Sequence, residues 1–294
     1  MPIILDGKSL AAKIELELAE KVREYKEGSL KYRSLNGPSL IVFIIGDNPA
    51  SKMYVRMKQR AGERIGMSVI IKEFPEDVSA EDVYKSIDAQ NKLKGTHGIM
   101  IQHPVPDRLM PLERYFFDRV DPKKDVDGVT SENFGRLSLG YQTSYQPATP
   151  KGIMTLLEEY SIPIEGRTVT IVGAGPILGK PLAMLMQGAG ATVAACQRQT
   201  PIETTKLLCQ KADIVVGACG VPGLIKKDWV KEGVVLVDAG CSPGNIGDIV
   251  PEAREKSYAY TPIPGGVGPM TIATLLSQTV HAARWGRYNE KSSW

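Results

Sequence analysis

The chain is short of the residues that metal and disulfide chemistry need. It holds three histidines and four cysteines in 294 residues. Cys196, Cys209, Cys219 and Cys241 all lie in the second half without a Cys-x-x-Cys pair, and none of His97, His103 and His281 stands at ligand spacing to one. That argues against zinc, and thiols beside apolar segments are expected to be reduced and buried, as in a cytoplasmic protein. Excess positive charge is also missing. The balance of 36 basic against 33 acidic residues leaves +3, with no basic run to track a phosphate backbone, which excludes nucleic acid as the expected partner. No apolar run approaches the roughly 20 residues of a membrane span. Met1 to Lys8 lacks the regions of a secretory signal, so no membrane partner is expected. No P-loop, Ser-His-Asp order or paired glycosidase carboxylates is present either. What remains, 43% hydrophobic and 23% charged, suits two domains with separate cores.

Both halves alternate strand and helix. Helical periodicity runs over 8–26 through Leu10, Ile14, Leu18 and Val22, and 39–45 is a continuous apolar run ending in Gly46-Asp47-Asn48-Pro49. Such a run reads as a buried parallel strand closing in a loop. A helix over 50–65, a strand near 68–72, a helix near 79–93 and a strand over 98–102 follow. The second half predicts a helix over 153–160 and strands at 167–172, 191–196, 213–217 and 233–238. This alternation means βαβ units and parallel sheets covered by helices. Thr149-Pro150 reads as a helix start, with the domain boundary just before it, and a last helix over 270–285 is expected to pack back on the first domain. The tail 289–294 reads as loose.

The sharpest local signal in the second half is Gly173-Ala174-Gly175-Pro176-Ile177-Leu178-Gly179 between a strand and a helix. Glycines there permit a tight bend and close backbone approach to a pyrophosphate, whose charge the helix N-terminus attracts. The next strand ends in Gln197-Arg198-Gln199-Thr200. An NAD site would place a carboxylate at this point to hold the ribose hydroxyls, whereas a guanidinium suits a 2′-phosphate. The pattern therefore predicts NADP.

Candidate polar residues in the first half are individually weak. Tyr54 and Lys58 are four apart and share one helix face, although a lysine between Arg56 and Arg60 is more often solvated. Gln102 ends a strand and His103 opens the loop after it, at the C-terminal edge where open α/β sheets bind ligands. Asp125-Val126-Asp127-Gly128 is turn-like, and its carboxylates suit either a helix cap or the amide edge of a ligand. Near the C-terminus, 262–271 packs three glycines and three prolines into ten residues. That composition fixes a backbone path and lets a flat ligand approach it.

Together these segments closely resemble the FolD family of bifunctional methylenetetrahydrofolate dehydrogenase/methenyltetrahydrofolate cyclohydrolases. The likeness runs through Asp6-Gly7-Lys8, Tyr54-x-x-x-Lys58, Gln102-x-Pro104, Lys124 to Gly128, Thr149 to Gly152 and Pro264 to Thr271. It implies NADP-dependent oxidation of 5,10-methylenetetrahydrofolate, then hydrolysis of the methenyl product to 10-formyltetrahydrofolate, in one-carbon metabolism that supplies purine synthesis. It implies Lys58 as the acid–base group, Gln102 as its partner, Asp127 on the pterin's amino-pyrimidine edge and Tyr54 stacked on the aminobenzoyl ring. Pro264, Gly265 and Gly266 would complete the folate wall. Gly173, Ala174, Gly175, Ile177, Gly179, Arg198, Cys241, Gly268 and Thr271 would hold NADP. The implied plan is an α/β folate domain over 1–147 plus a returning helix and tail over 272–294. A Rossmann-like parallel-sheet domain over 148–271 follows, with a cleft between the two and a homodimer as the assembly.

Three departures stand out. The family commonly has Gly-Arg-Ser where this chain has Gly173-Ala174-Gly175. His103 replaces a usual leucine, and Cys241 an aliphatic residue beside the nicotinamide. The competing expectations are a dehydrogenase without cyclohydrolase, a shikimate-dehydrogenase-like enzyme, and a silent nucleotide-binding protein.

Overall fold

The computed structural model describes residues 1–27, 37–141, 145–240, 242 and 244–285. In chain order the strands are β1 (Ile3–Ile4), β2 (Ser39–Ile45), β3 (Ser68–Phe74), β4 (Gly98–Ile101), β5 (Thr168–Val172), β6 (Thr192–Cys196), β7 (Ile214–Gly217), β8 (Val234–Asp238) and β9 (Ser257–Tyr260). The α-helices are α1 (Gly7–Glu27), α2 (Pro49–Arg64), α3 (Ala80–Lys92), α4 (Glu113–Arg119), α5 (Ser131–Ser138), α6 (Ala148–Glu159), α7 (Gly179–Gly188), α8 (Ile202–Lys211) and α9 (Val267–Trp285). The chain forms two compact units. One comprises Ala12–Ala148 and the residues from Ile272 onward, and the other Met1–Ala11 with Thr149–Thr271.

The first unit is built on a parallel sheet of order β3-β2-β4. Every residue of β2 is buried, which is why its sequence, Ser-Leu-Ile-Val-Phe-Ile-Ile, lacks the polar alternation of a half-exposed strand. Leu18 and Val22 of α1, Val55 and Ala61 of α2, and Leu275, Leu276 and Val280 of α9 close over Leu40, Val42 and Ile44. The last helix thus contributes to the first unit's core, as its apolar spacing predicts.

The second unit carries a six-stranded parallel sheet of order β1-β9-β8-β7-β5-β6. Val215 and Val216 of β7, and Val234 and Val237 of β8, are fully buried at its centre. Its outer pair differs from the sequence expectation. Residues 1–147 do not form one body, because Ile3 and Ile4 pair in parallel with Ala259 and Tyr260 and so belong to the second unit. Leu5 donates its N–H to the Tyr260 carbonyl at 2.8 Å and is fully buried. Strands of two and four residues, one bearing the exposed Tyr258, are too short to show a period. Two helices also begin earlier than their apolar patterns. α6 takes in Thr149 and Pro150, and α9 takes in Gly268 and Pro269, because proline costs nothing in a first turn whose N–H has no partner. The tail 289–294 lies outside the described residues.

Candidate active site

Helix α2 starts sharply. The Asn48 side chain accepts the Ser51 N–H at 3.1 Å and Pro49 occupies the first turn. Ser51, Val55, Lys58, Ala61 and Gly62 form its buried face, so Lys58 rides with the core, while Arg56 and Arg60 point away and are exposed. The solvated reading of Lys58 therefore fails on helical geometry. Lys58 is 4% exposed, and its ammonium donates to Gln102 Oε1 at 2.7 Å. Gln102 is placed by the sheet, since its backbone N–H donates to the Phe43 carbonyl at 2.8 Å just past the end of β4. Its own NH2 donates to the His103 carbonyl at 2.8 Å. Tyr54, one turn before Lys58, is half-buried.

The two aspartates of the 125–128 turn have separate tasks. Asp125 is fully buried and accepts the Val129 and Thr130 N–H groups and Asn133 Nδ2 at 3.1, 2.8 and 2.8 Å. It holds the start of α5 in place. Gly128 follows at φ +69°, where a Cβ would run into the Gln146 backbone, so the turn requires glycine. Asp127 is half-buried, and among the described residues no group donates a hydrogen bond to its carboxylate. Burial lowers Lys58 to about 8 against the opposing pull of Asp127. Burial likewise raises Asp127 to about 6, and Lys58 opposes that rise. The two charges stabilise each other in a place that favours neither. The arrangement offers a base poised near neutral pH, a fixed amide beside it and an uncommitted acceptor.

The second unit supplies a different surface. Gly173 adopts φ +116°, and a Cβ there would strike the Ala218 backbone, while a Cβ on Gly179 would strike the Gly173 carbonyl. A Cβ on Gly175, by contrast, would meet open space. Helix α7 begins at Gly179 without a side-chain cap from Leu178. Lys180 donates its N–H to the Gly175 carbonyl at 3.0 Å and Pro181 has none, so the Gly179 N–H and the helix dipole are what its first turn offers an anion. Ala174 and Ile177 are half-buried along this turn, and Arg198 is exposed two residues past β6. A bent glycine backbone leading into a helix N-terminus, with a cation at the neighbouring strand end, fits a phosphorylated dinucleotide.

The glycine–proline block is anchored to the N-terminal segment of the same unit. Lys8 donates its N–H to the Gly265 carbonyl at 2.8 Å, and Gly266 donates to Pro262 at 2.8 Å. Gly265 stands at φ +111°, Gly266 has no room for a side chain against Thr261, and Pro264 is exposed. Gly268 faces open space, and Thr271 Oγ1 donates to Thr149 Oγ1 at 3.1 Å. Asp6 caps α1 through Ser9, which explains the Asp6-Gly7-Lys8 motif in structural terms. Cys241 lies outside the described residues. One residue that sequence reasoning passed over is Glu113, which reaches the loop after Gln102. Nothing in its local pattern marks it.

Both domains of the tetrahydrofolate dehydrogenase/cyclohydrolase family match the chain: the catalytic domain over residues 5–127 and the NAD(P)-binding domain over 147–287. The bifunctional protein FolD of Cellvibrio japonicus is 48% identical over 279 residues, covering 95% of this chain and 96% of its own. The bifunctional FolD methylenetetrahydrofolate dehydrogenase/cyclohydrolase structure from Campylobacter jejuni superposes with a TM-score of 0.89 at 38% identity, over 97% and 99% of the two chains. The Trypanosoma brucei methylenetetrahydrofolate dehydrogenase-cyclohydrolase, solved with NADP and an inhibitor, gives 0.90 at 30% identity over 97% and 98%.

Proposed function

This chain belongs to the tetrahydrofolate dehydrogenase/cyclohydrolase family, and we propose that Lys58, Gln102, Asp127 and Tyr54 carry its folate chemistry. It is a bifunctional enzyme of one-carbon metabolism. It oxidises 5,10-methylenetetrahydrofolate with NADP and hydrolyses the 5,10-methenyl product to 10-formyltetrahydrofolate. The shikimate-dehydrogenase-like reading gives way to that membership, and relatives described as bifunctional disfavour the monofunctional one.

The observation that carries the residue assignment is the buried Lys58 ammonium on Gln102 Oε1 at 2.7 Å, with Asp127 as its charged neighbour. Asp127 accepts the N–H groups of the amino-pyrimidine edge, and Tyr54 stacks on the aminobenzoyl ring. Loss of hydride from the methylene carbon leaves a cation shared by two nitrogens, so oxidation needs alignment and no strong base. Bound NADP supplies the hydride acceptor. In hydrolysis neutral Lys58 takes a proton from water as its oxygen bonds to the methenyl carbon. The Lys58 ammonium then protonates N5 as the carbon–N5 bond breaks, and one proton leaves for each water consumed. Positioned proton transfer of this kind contributes roughly 10²–10⁴ in rate.

The sign of the pH dependence follows. Hydrolysis requires deprotonated Lys58, so its kcat is expected to rise with pH and level off above about 8. A profile measured with methenyltetrahydrofolate checks this, and a rate independent of pH across that value overturns the base assignment.

The second unit takes the cofactor, with Gly173, Ala174, Gly175, Ile177 and Gly179 around the pyrophosphate and Arg198 on the 2′-phosphate. Gly268 and Thr271 would meet the nicotinamide, and Pro264, Gly265 and Gly266 are the proposed folate contacts of the block. Arg198→Ala is expected to weaken NADP binding about tenfold, the scale of one charge-assisted hydrogen bond, and to leave NAD binding unaltered. Fluorescence titration with both cofactors measures it. An equal loss for both would move the 2′-phosphate elsewhere. The same reading includes a cytoplasmic homodimer whose formyl product serves purine synthesis. No helix among the described residues is long and apolar enough to cross a membrane.

A further inference from the structure

Glu113 opens α4 with a side chain only 11% exposed. Its Oε1 lies 2.7 Å from His103 Nδ1 and accepts the Val105 N–H at 3.1 Å. A carboxylate facing a ring nitrogen at that distance requires the hydrogen on Nδ1, so His103 donates. One oxygen therefore grips the chain on both sides of Pro104.

The segment held in this way includes the His103 carbonyl, which accepts Gln102 Nε2–H at 2.8 Å. That bond decides which end of the carboxamide meets Lys58. With the NH2 committed to the carbonyl, Oε1 faces the ammonium at 2.7 Å. A carboxamide released from the carbonyl can turn its N–H donors toward the ammonium, where donor meets donor and nothing accepts. A loop that strays therefore costs Lys58 its neutral partner.

We propose that Glu113, gripping His103 and Val105, is the positioning residue that keeps the Gln102 carboxamide oxygen turned toward Lys58 for the hydrolytic step. The proposal rests on reading Lys58 and Gln102 as the hydrolytic pair. It assigns Glu113 no role in hydride transfer, which needs no base.

Both hydrogen bonds converge on one oxygen, so glutamine at 113 retains the acceptor and alanine removes it. Glu113→Ala is expected to lower hydrolytic kcat about tenfold, the scale of one misplaced hydrogen bond. The KM for methenyltetrahydrofolate and the dehydrogenase kcat should stay within about twofold, and Glu113→Gln should restore hydrolysis to within about threefold of wild type. Equal loss of both activities, a rise in KM alone, unaltered hydrolysis in the alanine variant, or no rescue by glutamine each overturns the role. His103→Phe serves where the alanine variant does not fold. It deletes one of the two bonds, and with it the ring's charge interaction with Asp127. The readout is therefore hydrolytic kcat relative to dehydrogenase kcat, expected to fall by less than in the alanine variant, whereas an unaltered ratio also overturns the proposal. Lys58→Met in the same assay separates the two readings. Retained hydrolysis in that variant defeats the parent assignment, while its loss beside a fully active Glu113→Ala defeats only the positioning role.

Discussion

Lys58→Met is expected to abolish hydrolysis of 5,10-methenyltetrahydrofolate while leaving dehydrogenase turnover measurable. Methionine has similar length and no charge, so it fits a position 4% exposed without leaving an unpaired ammonium. What it removes is the group proposed as proton acceptor and donor. The expected loss is roughly 10²–10⁴ in hydrolytic kcat, the usual worth of a positioned acid–base group. Hydride transfer forms a cation that two nitrogens already stabilise, so the same substitution touches it only through alignment. Measuring both rates on one preparation checks the split. A parallel fall in both activities would make Lys58 a binding group and not the proton-transfer residue.

Asp127→Ala gives the opposite pattern, a loss in both reactions through one shared substrate contact. Its carboxylate has no donor among the described residues, so it is available to the N–H groups of the amino-pyrimidine edge. A hydrogen bond to a charged group is worth about 1.5–3 kcal/mol, which converts to a fall of roughly 10- to 150-fold in kcat/KM for both activities. A second effect separates charge from contact. Asp127 opposes the burial-driven fall of Lys58, so deleting it leaves Lys58 more easily deprotonated than its present value of about 8. The ascending limb of the hydrolytic pH profile should therefore move to lower pH in the alanine variant. Steady-state kinetics with methylene- and methenyltetrahydrofolate provide both readouts. Selective loss of hydrolysis alone would place Asp127 in the proton chemistry and remove it from the pterin.

How far the sequence disclosed this arrangement depended on the range of the interactions. Strands β2, β7 and β8 declare themselves because a strand buried on both faces is a continuous apolar run. The glycine turn at 173–179 is legible because a positive φ, as at Gly173, is a local requirement. β1 and β9 are not, since their pairing joins the chain's first residues to Ala259 and Tyr260, far beyond any window. Lys58 illustrates a subtler limit. Its neighbours Arg56 and Arg60 suggest a solvated helix face, and only the register of α2 against the core buries the middle cation. Local pattern alone did not split Asp125 from Asp127 either, because a turn with two carboxylates does not say which one its own backbone consumes. Glu113 was out of reach for the same reason: its two bonds join the first residue of α4 to a loop eight to ten positions earlier. The family motifs reached further than periodicity, since they name Lys58, Gln102 and Asp127 without any geometry.

The most direct measurement is a single progress curve with 5,10-methylenetetrahydrofolate and NADP, following methenyl absorbance together with formation of the reduced cofactor. With the wild-type chain, reduced cofactor should accumulate while methenyl absorbance stays low and 10-formyltetrahydrofolate appears. With Lys58→Met the methenyl species should build up in step with the reduced cofactor and decay only at the enzyme-free rate. Methenyl accumulation with the wild-type chain, or enzymatic decay with the variant, would contradict the assignment of hydrolysis to Lys58.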